Sequence, residues 1–564
     1  MSRPALRIAG IALASLAAFV PRPAGAEADH VIVLPPFLVE EQETKPWLNR
    51  PIWSHGEAGN IEILSACPED ETQLFIEGLR TQRMELGQII PDEFLLHTAL
   101  PTTFILFPQS LKSTMDADLT REWERLPAAS AAHDRLRPLD DLRLTDPDSS
   151  YLFVILNDAK WKETKRGSEF IFSPSYLRFL LEARTPALPA WFCEGATHFY
   201  ESILIPWDKN GFEPDPWLSK DAASVLHEDA FAPRPFLPLR ELFIPALPAG
   251  RTEQYRHVWN AQAELFIRWA LSGKVPGGRD RLWRFAAAAA VQPVTEELFK
   301  SCFGMDYDDA RNALSDYLPQ AVWEPLKGPS APSSDIPPMA LHDATPSEIH
   351  RIKGEWGRRV LSIVKEYNPE AVPIYSSQTR QLLQGSFDRG ERDPRLVASL
   401  ALFRLDTENS KGARELLEAS PAARSARPLA VLELASLRLA EALDAPSGSN
   451  ARLSEGQASG ILECVAASLG KKPAIEGAYV IAATVARHLG REPSDSERAR
   501  LNEGAHLFPQ NSELVFQSAA WDLRAGAVAE ARRLIEMGLW EATNPSARLK
   551  LLDLEAVGPL GTGW

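Results

Sequence analysis

The sequence predicts an α+β chain: a small mixed sheet first, helices through the middle, and an all-helical C-terminal part. Three observations carry that prediction. Apolar, β-rich runs bounded by turn residues are concentrated before residue 160. Segments with helical spacing fill most of the remainder. One proline-, glycine- and serine-rich stretch, PLKGPSAPSSDIPP (Pro325–Pro338), separates two helical regions and cannot itself support a helix.

The chain has 564 residues, enough for three or four domains of ordinary size, and its 45% hydrophobic and 24% charged content are those of a globular protein. Arg3 and Arg7 precede the apolar run Ile8–Val20, and Ala24-Gly25-Ala26 completes a small-x-small cleavage signature. Residues 1–26 therefore read as a signal peptide cleaved after Ala26, and the mature chain as exported, periplasmic or extracellular, with no transmembrane segment. Removing those residues leaves 57 basic against 76 acidic side chains, a net charge of −19. So acidic a chain has no general attraction for nucleic acid or anionic lipid. The four cysteines, Cys67, Cys193, Cys302 and Cys464, form no CxxC pair, which excludes a cysteine-rich zinc site and leaves disulfide pairing open.

Residues 27–160 read as the N-terminal α/β part. NIEILSA (Asn60–Ala66) alternates like a strand, and ETQLFIEGLRTQRMELGQII follows with helical spacing. TTFILFP (Thr102–Pro108) and YLFVILND (Tyr151–Asp158) read as buried strands. Over 161–324, EFIFS (Glu169–Ser173) reads as a further strand, and Ser173-Pro174 offers a cap and an N-terminal proline to the helix that follows. Further helices are expected at about Trp191–Ser202, in HVWNAQAELFIRWALSG, RDRLWRFAAAAA and VTEELFKSCFG, and up to DDARNALSDYL. Residues 325–344 read as a linker. Beyond 345 helices alternate with short turns, and ARELLE (Ala413–Glu418) recurs as ARRLIE (Ala531–Glu536). That recurrence is similar to tetratricopeptide-like repeats and implies stacked helix pairs over 345–564.

The segment PAWFCEGATHFYES, Pro189–Ser202, carries the chemistry. It resembles the P-x-W-x-x-E-G-x-A/T-x-x-Y segment of gluzincin zinc peptidases, in particular the small bacterial peptidase-MA-like families. The resemblance extends over roughly residues 55–320. It implies a gluzincin-like fold, a zinc cofactor and a metallopeptidase cleft, with Glu194 at the third-ligand position and Trp191 and Gly195 at packing and turn positions. The family's spacing places HExxH at Pro174-Ser175-Tyr176-Leu177-Arg178. Pro174 and Arg178 stand where two histidines would ligate zinc, and Ser175 stands where a glutamate would act as general base. No histidine occurs between His133 and His198, so a shift of register does not restore the motif. HEDAF (His227–Phe231) lacks the second histidine and reads as surface.

Glu194, His198 and Glu201 fall at i, i+4 and i+7 on one helix face, which offers a weak alternative metal set. The favoured expectation is instead an Arg178–Glu194 ion pair, with an arginine in place of the zinc cation. Trp191, His198, Glu201 and His257 are the candidate cleft residues, and Cys193 reads as packing. The expected function is a catalytically inactive peptidase-like protein that binds a peptide or protein partner through the cleft and the helical repeats. It needs no cofactor. Two alternatives are an active metallopeptidase with a non-standard zinc site around Glu194 and His198, and a pure helical-repeat scaffold. The ligand's identity and the oligomeric state stay open.

Overall fold

The computed structural model of the chain describes residues 31–33, 53–91, 94, 100–108, 136–138, 141–156, 174–182, 185–201, 203–204, 213–214, 226–229, 232–233, 236–245, 251–321, 336–367, 369–444, 452–466, 468–469, 474–542 and 544–557. The signal-peptide segment and the EFIFS strand expected from the sequence lie outside these residues.

A six-stranded mixed sheet organises the N-terminal half. Its strands are β1 (Ser54–Ala58), β2 (Ile61–Ser65), β3 (Thr102–Pro108), β4 (Asp141–Asp146), β5 (Ser149–Leu156) and β6 (His342–Asp343), in the spatial order β6-β1-β2-β3-β5-β4. The inner strands β2, β3 and β5 run parallel, and β1, β4 and β6 are antiparallel to their neighbours. Continuous apolar runs are what a parallel strand covered on both faces requires, and every residue of β3 is buried. Side chains alternate between two cores: Ile63, Phe104, Leu106, Leu152 and Val154 enter one, and Leu64, Ile105, Phe107, Tyr151 and Phe153 the other. Each such fully buried side chain contributes about 1.5–3 kcal/mol.

The first core is closed by α1 (Glu69–Ile89), α2 (Pro174–Glu182), α3 (Ala190–Glu201), α4 (Glu253–Leu271), α5 (Gly278–Ala289), α6 (Glu296–Phe303) and α7 (Tyr307–Ala321). Glu69, Asp70 and Glu71 crowd the first turn of α1, where the helix dipole favours negative charge. Thr252 and Thr295 cap α4 and α6 by accepting from Tyr255 N–H and Leu298 N–H.

The second core departs from the sequence reading. The expected linker 325–344 includes residues that hold the sheet: Met339 is buried, and β6 pairs with Ser54 and His55 of β1. Proline and serine there rule out a helix but not packing, because Ile336, Met339 and Leu341 still present apolar side chains to the first core. The helix α8 (Pro346–Tyr367), expected to open a separate repeat unit, lies across the sheet and buries Ile352, Trp356, Val360 and Val364 against it.

Beyond α8 follow α9 (Val372–Asp388), α10 (Pro394–Asp406), α11 (Ser410–Ala419), α12 (Pro421–Ala426), α13 (Pro428–Asp444), α14 (Glu455–Ala466), α15 (Glu476–His488), α16 (Asp495–Leu507), α17 (Ser512–Arg524), α18 (Val528–Glu541) and α19 (Pro545–Val557). From α13 on each helix packs on the next, and the alternate helices α13, α15, α17 and α19 also pack on one another in a row. Caps define many of their starts: Asp393 for α10, Asn409 for α11, Asn511 for α17, and a full Ser494–Glu497 capping box for α16. The matching ARELLE and ARRLIE segments lie in α11 and α18 and bury Ala413 and Leu417, and Ala531, Leu534 and Ile535. Among the described residues no helix is long and apolar enough to cross a membrane.

A buried ionic cluster joins the sheet to these helices. Arg427, in the turn before α13, donates to Asp148 Oδ1 and Oδ2 (2.9 and 3.0 Å), Glu355 Oε1 (3.0 Å) and Asp146 Oδ2 (3.2 Å). Arg358 contacts Glu355, Asp146 and Asp406, and Arg359 contacts Glu355 and Asp146. Burial alone would raise the Asp148 carboxyl. The charge and hydrogen bonds of Arg427, with the Leu429 N–H, instead hold it below its usual range. Glu433 beside the cluster is pushed up to about 7 by burial and by the negative charge of Asp406.

Candidate functional site

The α2–loop–α3 unit forms from local signals. Pro174 opens α2, the loop TPALPA ends it with two prolines, and α3 begins at Ala190. The two helices pack together and bring Arg178 opposite Glu194. Arg178 Nη1 donates to Glu194 Oε1 and Nη2 to Oε2, each at 2.5 Å. The fork is bidentate and partly shielded, the side chains being 31% and 22% exposed, so two charge-assisted hydrogen bonds act at one carboxylate. Hydrogen bonding to Glu194 raises Arg178 further above its ordinary value, against the opposing effect of burial.

Gly195 has a steric role. A Cβ there would lie 2.6 Å from the Ala263 carbonyl oxygen of α4 and 3.0 Å from Ile267, so glycine permits the close crossing of α3 and α4. That crossing fixes the height of Glu194 on its helix.

The other anticipated residues separate. Trp191 is fully buried among Phe192, Phe243, Phe266 and Phe285, with ring centroids 5.1 to 5.8 Å away. It is a core residue and not a cleft residue, since an indole surrounded by four phenyl rings has no face left for a ligand. His257 is exposed on α4, 3.5 Å from Glu253 one turn earlier. His198 is half-buried on α3, while the side chains of Glu201, Pro174 and Ser175 lie outside the described set. Cys193 is half-buried against the core, and all four cysteines are free thiols. His227–Asp229 of HEDAF pairs with Ala232–Pro233 in a short ribbon.

Metal-binding capacity follows a different map. Among the described residues, the His, Cys, Asp and Glu groups close enough to share an ion are His55–His342–Glu348 and His55–Glu57–Glu62. Glu194 and His198 belong to neither. At Glu194 the donor set does not fit zinc, because both carboxylate oxygens are taken by a guanidinium that cannot be deprotonated. The His55 cluster escapes sequence reading because His342 and Glu348 stand far along the chain from His55, with no motif spacing to connect them.

A cavity of about 90 Å³ opens on the α2 face opposite Arg178, lined by Tyr176, Phe179, Leu180, Gln82, Phe104 and Ile336. Comparison with family models, with curated proteins and with solved structures finds no match to this chain.

Proposed function

We infer that this chain is a peptidase-like protein of the gluzincin type that has exchanged metal catalysis for binding, exported and acting on a peptide or protein partner. The observation that supports this reading is the bidentate Arg178–Glu194 pair. The resemblance puts Arg178 at the second histidine of HExxH and Glu194 at the third ligand, and these two side chains meet directly. An arginine supplies a fixed positive charge to Glu194 but no open coordination position and no activated water. The row formed by α13, α15, α17 and α19 supports a helical-repeat reading of the C-terminal part, which would add a second binding surface.

The test is reconstruction. Pro174→His, Ser175→Glu and Arg178→His together would restore HExxH in the register the resemblance implies. The expected result is a zinc ion gained by the triple variant over the parent and lost again on adding Glu194→Ala. A triple variant that folds and gains no Glu194-dependent zinc overturns the gluzincin register. Cleavage of an unfolded protein substrate by the parent chain, abolished by Glu194→Ala, overturns the inactive reading and favours the metallopeptidase alternative.

A further inference from the structure

His55 lies on β1 with its side chain 5% exposed, and its Nε2 sits 3.0 Å from Glu62 Oε1 on the neighbouring strand. Glu62 can only accept: Arg351 donates to both of its oxygens and Thr103 Oγ1 to Oε2 at 3.0 Å. The Nε2 of His55 therefore carries a hydrogen, which leaves Nδ1 as the ring nitrogen available to a metal. That Nδ1 is buried and makes no hydrogen bond. It faces Glu348 Oε1 at 3.3 Å.

The second oxygen of Glu348 is already used. Oε2 accepts from Thr345 N–H at 2.7 Å and Thr345 Oγ1 at 2.8 Å, which caps α8 and locks the carboxylate orientation. Oε1 faces His55 Nδ1 at 3.3 Å and shares a 3.3 Å hydrogen bond with His342 Nε2 on β6, a contact that a metal ion would replace. One ligand atom from each of the three residues lies within 4.8 Å of the other two.

We propose that His55 Nδ1, His342 Nε2 and Glu348 Oε1 bind a divalent transition-metal ion of the Zn²⁺ class at the sheet edge. Bond lengths of about 2.0–2.2 Å to nitrogen and oxygen give a tetrahedral edge of about 3.3–3.5 Å, and both N···O edges here have that length. Two imidazoles and one carboxylate suit zinc rather than magnesium or calcium, which prefer all-oxygen shells. Glu62 supplies the carboxylate that orients a ligating histidine through its other nitrogen. His342 is 53% exposed, so the fourth position opens to solvent and is available to water or an incoming ligand. The ion would tie β1, β6 and the first turn of α8 together.

The site is distinct from Glu194, and its test separates the two. Untagged full-length protein is stripped with a chelator and titrated with ZnCl₂ by calorimetry, with MgCl₂ as control. One Zn²⁺ per chain and no Mg²⁺ is the expected stoichiometry. His342→Ala, at an exposed edge position, weakens Zn²⁺ about 100-fold or more, whereas Glu194→Ala leaves it unchanged. Co²⁺ in place of zinc gives a tetrahedral visible spectrum in the parent that is absent from His342→Ala. Zn²⁺ also raises the Tm of the parent and not of the variant. No stoichiometric Zn²⁺, or Zn²⁺ bound equally by parent and His342→Ala, overturns the proposal.

Discussion

Replacing Arg427 by methionine tests whether the ionic cluster holds the sheet and the C-terminal helices together. The side chain is 8% exposed and serves three carboxylates. Its loss leaves Asp148, 2% exposed, with only the Leu429 N–H at 3.0 Å and the Ser149 hydroxyl at 3.3 Å. The cluster of Arg358, Arg359 and Arg427 against Asp146, Asp148, Glu355 and Asp406 goes from a formal charge of −1 to −2. Removing one partner of a buried pair costs about 3–5 kcal/mol. Methionine recovers part of the arginine stem's apolar contact, so about 3–4 kcal/mol is expected at pH 8. The sign of its pH dependence follows from Asp148. In the parent its depressed carboxyl contributes stability that is present above the unfolded value and lost only as pH falls through the folded one. In Arg427→Met burial prevails, the folded Asp148 takes up a proton more readily than the unfolded one, and lowering the pH to 5 narrows the gap to the parent. Urea unfolding at pH 8 and pH 5, with amide exchange over α13, reads both effects. A loss under about 1 kcal/mol, or one equal at the two pH values, refutes this account of the cluster.

Three further outcomes are expected. A double-mutant cycle of Arg178→Ala and Glu194→Ala should return a coupling of about 1–2 kcal/mol in urea unfolding, reduced at high salt; a coupling near zero would make the fork incidental. Gly195→Ala should lower the Tm by overpacking against Ala263, at about 1–3 kcal/mol, and an unchanged Tm would deny the close crossing of α3 and α4. Glu433→Gln should stabilise the protein by about 1–2 kcal/mol at pH 8 and have no effect at pH 4.5. The raised acid at about 7 makes stability fall as pH climbs from 4.5 to 7, and glutamine removes that slope; equal slopes in parent and variant would argue against it.

What the sequence disclosed, and what it hid, follows from which side chains face apolar surroundings. The inner strands β3 and β5 are legible because burial on both faces demands long apolar runs, and β2 because IEILS alternates. The outer strands carry no such signal: SHGEA lies next to the edge, and DLRLTD and the two-residue His342–Asp343 form the two edges, all three rich in polar residues. Helix α8 misleads for a related reason. Its Arg351, Glu355, Arg358 and Arg359 are charged, yet all four are buried. They meet Glu62 on one strand and the Asp146–Ser149 turn on another, which makes a charged helix face an inner surface. The Arg178–Glu194 pair was readable because motif spacing put the two residues in one site. The His55 cluster was not, because only the fold brings β1, β6 and α8 together.

If the proposed register holds and Arg178 stands in place of a second histidine, arginine is a chemically specific choice there. Any small residue there would free Glu194 to solvent, and a lysine would give it a point charge with no preferred plane. The guanidinium matches both carboxylate oxygens at once, so the two helices share a fixed cross-link. That cross-link preserves the geometry of the α2–α3 pair without a Lewis acid. Under the proposed binding function, that fixed geometry is what a partner would recognise. If shape is what matters, Arg178→Lys should weaken partner binding nearly as much as Arg178→Ala although the charge is kept. Equal binding by the lysine variant and the parent would mean that charge alone suffices.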